Sequence, residues 1–244
     1  MADSFDTAHG RMLAYHRTSG RGPGIVFLGG FMSDMTGTKA VYLEDWARRE
    51  GRAFLRFDYS GHGESSGAFA DGCIGDWADD AVEAVSHLTE GPQILVGSSM
   101  GGWIALLLAR ARPERVAALV GIAAAPDFTR RFWQDLDEGQ RARLMAAGRL
   151  EVPSDYAPEP YVFTRRLIED GAAQSVLEAP LRLGCPVRLL QGTEDTDVPV
   201  AAQVALFDHL EAADSRLTLV RGADHRFSDP ACLALLVATI EAVS

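Results

Sequence analysis

Lysine is almost missing from this chain. Lys39 is the single lysine among 244 residues, and arginine supplies the rest of the 23 basic side chains. The 34 aspartates and glutamates outnumber them, which leaves a formal net charge of -11 and an isoelectric point near 5.0. Unspecific binding to nucleic acid or to an anionic membrane needs a basic face. The charge balance therefore excludes nucleic acid as an expected partner.

Cysteine is also sparse, and long apolar runs are lacking. Cys73, Cys185 and Cys232 lie far apart without a C-x-x-C pair, so we expect reduced thiols, with neither a disulfide framework nor a zinc site. The acidic stretch MADSFDTAHG lacks the apolar segment of a secretory signal. No apolar run reaches the roughly 20 residues of a membrane span. These absences predict a cytoplasmic protein without stable membrane insertion, and they leave the oligomeric state open.

Short apolar segments alternate with helical patterns along the chain. The segment 11–18 alternates polar and apolar residues and predicts an edge strand. Six further segments predict strands, of which GIVFLGG and QILVGS are read as buried: GIVFLGG, AFLRFDY, QILVGS, RVAALVGIAA, VRLLQG and RLTLVRG. Strands separated by helices form βαβ units, so we predict an α/β fold with a doubly wound, mostly parallel sheet.

One interval interrupts this rhythm. Residues 127–184 contain no strand candidate, only helical patches at 136–148 and 162–171 and a proline-rich stretch at 152–161. An insertion beyond the carboxyl end of a strand lies over the ligand-binding edge of such a sheet. We therefore predict a core of residues 1–126 and 185–244 and a small helical cap of residues 127–184.

The segment QILVGSSMGGW, residues 93–103, predicts a buried strand, a sharp turn and a helix. The turn matches G-x-S-x-G centred on Ser99, in which small flanking residues let a serine sit on a strained turn with its hydroxyl exposed. Ser65 is the centre of a second G-x-S-x-G, but no strand leads directly into it and no helix follows. Since the strand–turn–helix context defines the motif, we favour Ser99 as the nucleophile.

A serine nucleophile needs a base, and the base needs an orienting acid. His225 follows the segment RLTLVRG directly, whereas His62 comes before Ser99 in the chain. The order serine, acid, histidine favours His225. For the acid, the loop after VRLLQG offers Glu194, Asp195 and Asp197. The pattern G-x-x-D-x-x-V-P places Asp195 first and Asp197 second.

Acyl transfer also needs donors for a developing oxyanion. The backbone amide after the nucleophile, that of Met100, is one candidate. The second is the amide of Phe31, in the loop that follows the strand GIVFLGG. Their side chains are free to line an acyl pocket.

The chain resembles the α/β-hydrolase superfamily and, at closer range, the mitochondrial palmitoyl-protein thioesterases that also cleave acyl glucuronides. The resemblance implies the nucleophile Ser99, the acid Asp195, the base His225 and oxyanion amides on Phe31 and Met100. Gly29 departs from the wider superfamily, in which many members have histidine there. The segments that carry the resemblance are GTKA, RFDYSG, GPQILVGSSMGGW, ARPERVAALVG, CPVRLLQG and Asp224-His225-Arg226.

The expected activity is that of a serine hydrolase that cleaves carboxylic esters or acyl thioesters through an acyl-enzyme on Ser99, with no metal and no cofactor. The expected substrate is a small acyl ester or thioester, or an acylated protein. A C–C bond hydrolase or an aminopeptidase with the same triad is an alternative, as is a non-catalytic binding protein on this scaffold.

The predicted cap contains side chains that could contact a substrate. Four arginines could bind a substrate carboxylate, although solvated surface is the favoured interpretation in a chain so rich in arginine. Three aromatic residues could line an acyl pocket or pack the cap onto the core. These residues are Arg130, Arg131, Arg165 and Arg166, and Phe128, Phe132 and Trp133.

Overall fold

The computed structural model describes residues 2–153 and 160–244, and the expected proline-rich stretch lies largely outside them. The described residues form twelve strands: β1 (Asp3–Asp6), β2 (Met12–Thr18), β3 (Arg21–Leu28), β4 (Arg52–Phe57), β5 (Gln93–Ser98), β6 (Val116–Ile122), β7 (Arg149–Val152), β8 (Tyr161–Thr164), β9 (Leu181–Arg182), β10 (Val187–Gly192), β11 (Leu210–Glu211) and β12 (Ser215–Val220). They also form eight α-helices: α1 (Thr38–Arg49), α2 (Ile74–Leu88), α3 (Met100–Ala111), α4 (Phe128–Asp135), α5 (Glu138–Ala147), α6 (Arg165–Ala173), α7 (Val200–His209) and α8 (Pro230–Glu241).

Eight strands form one twisted sheet in the order β1-β2-β4-β3-β5-β6-β10-β12. The pairs β1–β2 and β2–β4 are antiparallel, and the remaining five pairs are parallel. The predicted doubly wound, mostly parallel sheet is therefore confirmed. The predicted edge position of β2 is wrong, because the acidic segment of β1 pairs with its outer side and takes the edge instead.

Apolar side chains cover both faces of the sheet, as its nearly continuous apolar strands require. Successive residues of β3 alternate between the two layers: Val26 and Leu28 pack with α2 and α3, whereas Ile25 and Phe27 pack with α1 and α8. This alternation follows from the period of two in a strand. The central helix α3 is buried on nearly all sides, and Trp103 in its second turn is fully buried.

The expectation that residues 127–184 contain no strand is wrong. β7 and β8 form an antiparallel hairpin, and β9 pairs in parallel with β11. The predicted helical patch at 162–171 begins as strand β8 and becomes helical at Arg165, where the Thr164 side chain caps α6 by accepting from the Leu167 amide at 3.1 Å. Strands of four residues show too few alternations to be distinguished from a helical pattern by period alone.

Hydrogen bonds join the two ends of residues 127–184, the inserted segment, to each other and to helices α2 and α3. Asp127, at its start, accepts a hydrogen bond at 3.0 Å from the amide of Val176, near its end. Trp103 of α3 donates to the carbonyl of Gln174 at 3.2 Å, and Asp170 of α6 accepts from the amide of Gly75 at 2.7 Å. Because its two ends are joined and residues 170 and 174 are bonded to α2 and α3, we propose residues 127–184 as a cap docked on the core.

In the described ranges, no helix is both long and apolar enough to cross a lipid bilayer.

Leu→Ala changes at a buried and an exposed position of neighbouring strands can distinguish the contribution of core packing to stability from that of strand propensity. Leu189 of β10 is 1% exposed and Leu219 of β12 is 46% exposed. We expect Leu189→Ala to lower the free energy of unfolding by about 2–5 kcal/mol, because it leaves a cavity between the sheet and its helices. The matched change Leu219→Ala should cost less than about 1 kcal/mol. Urea denaturation followed by circular dichroism measures both, and equal losses would contradict this packing.

Candidate active site

Ser99 lies at the sharp turn between β5 and α3 with a strained backbone, at φ 54° and ψ -118°. Such a conformation is rare for a residue with a side chain, and surrounding contacts must hold it. The Ser99 amide donates to the carbonyl of Ile122 at 2.9 Å, and the Ser99 carbonyl accepts from the amide of Ala125 at 3.0 Å. The end of β6 and the loop that follows it therefore hold the Ser99 backbone through both its amide and its carbonyl.

The glycines around Ser99 are required by close backbone approach. A Cβ on Gly101 would lie 2.0 Å from the carbonyl oxygen of Leu28, and one on Gly97 would lie 2.3 Å from the carbonyl oxygen of Gly101. Neither neighbour is the free end of a side chain, so neither can move aside cheaply. The small positions of the motif thus reflect the contact between α3 and the ends of β3 and β5.

The competing serine, Ser65, occupies a different environment. Its hydroxyl donates to the carbonyl of Asp58 at 2.7 Å and accepts from the amide of Ala14 at 2.9 Å. These bonds join the loop after β4 to β2. The Ser65 hydroxyl is therefore used in hydrogen bonds to the backbone of β2 and of the loop after β4, and Ser65 is not among the residues that line the cavity at Ser99.

Asp195 and His225 form a close pair at the carboxyl ends of β10 and β12. Nδ1 of His225 lies 2.9 Å from Oδ2 of Asp195. The other carboxylate oxygen accepts from the amides of Asp197 and Val198 at 2.9 and 2.8 Å. Burial opposes ionisation of Asp195, but the hydrogen bonds from His225, Val198 and Gln191 outweigh it and lower its pKa. The carboxylate is thus held charged and fixed against the imidazole.

Asp197, the second candidate for the acid, lies on the other side of the imidazole. Its Oδ2 is 3.7 Å from Nε2 of His225, and its side chain is 37% exposed. Its carbonyl accepts a hydrogen bond from Arg131 of α4 at 2.6 Å. Asp197 is therefore placed at the cavity wall, whereas Asp195 lies behind the imidazole.

His62, the other candidate base, is packed among aromatic rings. The ring centres of Tyr59, Phe69 and Trp77 lie 5.6, 5.0 and 5.0 Å from its own. Burial lowers its pKa to about 4, which keeps this imidazole neutral at physiological pH. The structure places it outside the residues that line the cavity at Ser99.

The loop after β3 lies against the turn that contains Ser99. A Cβ on Gly30 would be 3.5 Å from the Cβ of Ser99, so Phe31, the next residue, begins beside the serine. Met100 is the first residue of α3 and is fully buried. Both suggested amide donors are therefore close to Ser99. Met100 follows it in the chain, and Phe31 lies beside it in the loop after β3.

Sequence reasoning missed the residue that braces this loop, Asp58. Its Oδ1 accepts from the amide of Met35 at 2.7 Å and its Oδ2 from the amide of Glu64 at 2.9 Å. Arg56 donates to the carbonyl of Met35 at 2.7 Å. Burial raises the pKa of Asp58 despite these bonds. A carboxylate placed directly after a buried strand was the available signal, since such side chains lie at the sheet edge that forms the site.

A cavity of about 870 Å³ opens over Ser99 and His225, within the range of about 300–1,000 Å³ that is common for ligand sites. One wall is aromatic. Phe31 contacts the rings of Phe128, Tyr161 and Phe163 at centre distances of 5.3, 5.9 and 5.2 Å, and Phe132 stacks on Phe163 at 3.5 Å. Besides His225, the charged side chains that line the cavity are Asp34, Lys39, Arg131, Asp135, Asp197 and Arg226.

Of the four arginines singled out in the inserted segment, Arg131 lines this cavity. The other three pair with acids: Arg130 with Glu178, Arg165 with Glu169, and Arg166 with Asp76. Phe128 and Phe132 line the cavity as well, whereas Trp133 lies under the guanidinium of Arg141 at 5.7 Å. In the described part of the chain, no three His, Cys, Asp or Glu side chains converge as metal ligands.

A family model described as serine aminopeptidase S33, of the Hydrolase_4 family, matches residues 24–228. This chain is an α/β-hydrolase. The hydrolase is 40% identical over 230 residues to the mitochondrial palmitoyl-protein thioesterase ABHD10 of Rattus norvegicus. The aligned residues cover 94% of this chain and 77% of that protein. The same protein of Homo sapiens is 38% identical, over 94% and 75% of the two chains.

Solved structures agree with this membership. A putative hydrolase from Agrobacterium vitis superposes on the hydrolase with a TM-score of 0.94 at 42% identity, covering 100% of this chain and 97% of that one. Mouse α/β hydrolase domain-containing protein 10 gives a TM-score of 0.92 at 36% identity, covering 100% and 98%. The resemblance read from the sequence motifs is confirmed at the level of the family.

The glycine contacts at the turn generate a prediction. Gly101→Ala should lower the free energy of unfolding by about 1–3 kcal/mol or more, because its methyl group has no space against the carbonyl of Leu28. It should also slow labelling of the protein by a fluorophosphonate probe. Gly184→Ala is the matched control, since nothing lies within 4 Å of the added atom. A Gly101→Ala protein as stable as this control would disprove the close approach.

Proposed function

We propose that the protein hydrolyses carboxylic esters or acyl thioesters through an acyl-enzyme on Ser99. The observation that carries this proposal is the 2.9 Å contact between Asp195 and His225, on a cavity that both His225 and the strained Ser99 line. A hydroxyl at neutral pH is a weak nucleophile, and an oriented imidazole overcomes this by accepting its proton. In this scheme Ser99 gives up the proton, His225 accepts it, and Asp195 orients the imidazole that does so.

In the first half of the proposed reaction, Ser99 Oγ attacks the carbonyl carbon while His225 Nε2 accepts its proton. The amides of Phe31 and Met100 donate to the oxyanion of the tetrahedral intermediate. His225 then returns the proton to the leaving alcohol or thiol as the carbon–oxygen or carbon–sulfur bond breaks. In the second half, water attacks the acyl-enzyme by the same route and releases the carboxylic acid. Asp195 stabilises the positive imidazole in both halves.

The aromatic wall of the cavity favours an apolar acyl group as the part of the substrate that binds under the proposed cap. Rings of Phe31, Phe128, Phe132 and Phe163 would exclude water from an acyl chain, whose burial is favourable in proportion to its apolar area. The relatives named palmitoyl-protein thioesterase support a thioester as the bond and an acylated protein or a small acyl thioester as the substrate.

An aminopeptidase is the second candidate, and a specific observation favours it. Asp34, Asp135 and Asp197 line the polar part of the cavity, and carboxylates are what a free amino terminus would require. A panel of acyl thioesters, p-nitrophenyl esters and aminoacyl anilides separates the two, because only an aminopeptidase should turn over the anilides, whose amide bond is far less reactive than an ester.

Cytoplasmic location remains a prediction supported by the three unpaired cysteines in the described residues. The relatives' names place those proteins in mitochondria.

The nucleophile assignment predicts the effect of removing one hydroxyl. Ser99→Ala should lower kcat by about 10⁶-fold, as loss of the serine does in other serine hydrolases, and should abolish labelling by a fluorophosphonate probe. Ser65→Ala is the matched control from the second G-x-S-x-G. It should lose about 1 kcal/mol of stability from its hydrogen bonds and keep its labelling. Labelling that survives in Ser99→Ala would assign the nucleophile to another residue, whereas wild-type protein that is not labelled would indicate a non-catalytic scaffold.

The two carboxylates that flank His225 predict unequal effects. Asp195→Asn should lower kcat by about 10⁴-fold, since an amide at Nδ1 favours the wrong tautomer, whereas Asp197→Asn should lower it by less than about tenfold. Steady-state hydrolysis of a p-nitrophenyl ester measures both at one pH. The reverse order of effects would transfer the role of the acid to Asp197.

A further inference from the structure

Lys39, the only lysine of the chain, lies in the first turn of α1 and lines the cavity. Its ammonium group donates a hydrogen bond to the main-chain carbonyl of Arg226. Arg226 is the residue after His225, and α1 follows the loop that contains Phe31. Lys39 thus connects the segment of the proposed oxyanion amide to the segment of the proposed base, which are 187 residues apart in the sequence.

The loop that contains His225 is strained and needs such contacts. Phe227 has a φ of 51° and is fully buried, in the left-handed region that side chains avoid. Before His225, the carbonyl of Ala223 accepts from the amide of Glu194 at 3.0 Å. Within the turn, Asp224 accepts from the amide of Phe227 at 3.0 Å. The second bond lies within the loop of His225, and the first connects that loop to the one after β10, which contains Asp195.

After His225, the carbonyl of Arg226 accepts from at least two donors among the described residues. The Ser228 hydroxyl donates at 2.8 Å from within the same loop, and Lys39 donates from α1. The Lys39 bond therefore ties this side of the loop to another element of the fold. We propose that Lys39 is a positioning residue, which holds the loop of His225 in register with Ser99 through the carbonyl of Arg226.

The charge of Lys39 strengthens this hydrogen bond, because a bond from an ionised donor is stronger than one from a neutral donor. Burial lowers the pKa of Lys39 to about 8, opposed by the carboxylate of Asp224 and assisted by the guanidinium of Arg226. The Cys232 thiol of α8 also faces Lys39, and burial raises its pKa to about 12. Carboxylates and guanidinium groups in general keep their charges between pH 7 and 9.5.

Lys39 is thus the member of this cluster that loses a proton in that interval. Below pH 8 the ammonium form holds the loop; as the pH rises through about 8, the charge is lost and the bond weakens. The consequence is a decrease of kcat on the alkaline side, with little change in KM, since Lys39 acts on the position of His225.

The test rests on the proposed function and compares three variants with the wild type. They are Lys39→Met, which removes the donor, Lys39→Arg, which keeps a charged donor at all accessible pH values, and Arg49→Met as a control from the exposed last turn of the same helix. kcat and KM for a short-chain p-nitrophenyl ester are measured from pH 6 to 9.5. The rate of fluorophosphonate labelling is measured alongside, after circular dichroism has verified folding.

Lys39→Met is expected to lower kcat at pH 7 by about 10- to 100-fold at a KM within about twofold, the range that small misplacements of catalytic groups produce. Wild type and Arg49→Met should lose activity above about pH 8, and Lys39→Arg should keep it up to pH 9.5. If Lys39→Met fails to fold, the comparison of Lys39→Arg with wild type decides.

Three results would overturn the role of Lys39 while leaving the triad intact. They are a normal kcat for Lys39→Met, an alkaline decrease in Lys39→Arg identical to that of the wild type, and a loss confined to KM, which would indicate contact with substrate instead. Failure of the triad itself is recognised separately, because wild-type protein would then not be labelled at Ser99.

Discussion

The backbone of Ser99 is the constraint on which the rest of the site depends. A residue at φ 54° persists only where neighbours determine its position. Here the backbone is held by Ile122 at the end of β6 and Ala125 in the following loop, and by the tight contact of α3 with the end of β3 at Gly101. The parallel order of β3, β5 and β6 creates that contact. The central strands of the sheet therefore hold the strained backbone of Ser99 in place at the cavity.

The positions of the candidate acid and the candidate base depend on the outer part of the same sheet. Asp195 follows β10 and His225 follows β12, and these strands pair in parallel with residues 192 and 220 opposite each other. Parallel pairing brings the carboxyl ends of both strands to one edge. The Gln191 side chain then reaches Asp195 at 3.0 Å and the Val198 carbonyl at 2.8 Å, which fixes the acid loop. The inserted segment meets this loop through Arg131.

Sequence patterns predicted the core better than the inserted segment. Strands β3, β5, β6 and β10 are buried on both faces, and their apolar runs are recognisable without any partner. The strands β7 and β8 have four residues each and exist because they pair with each other. The strand β1 is acidic and exposed, and its pairing with β2 satisfies backbone groups that side-chain pattern does not report.

The sequence by itself determined the strand–turn–helix at Ser99, the α/β architecture and the order of the candidate site residues, because periodicity and glycine positions are local properties. Only the tertiary structure decided which carboxylate meets Nδ1 of His225, which arginine of the inserted segment reaches the cavity, and that Asp58 and Lys39 brace the loops around the site. Those facts depend on distances between residues far apart in the chain, and these distances are set by packing of the whole sheet.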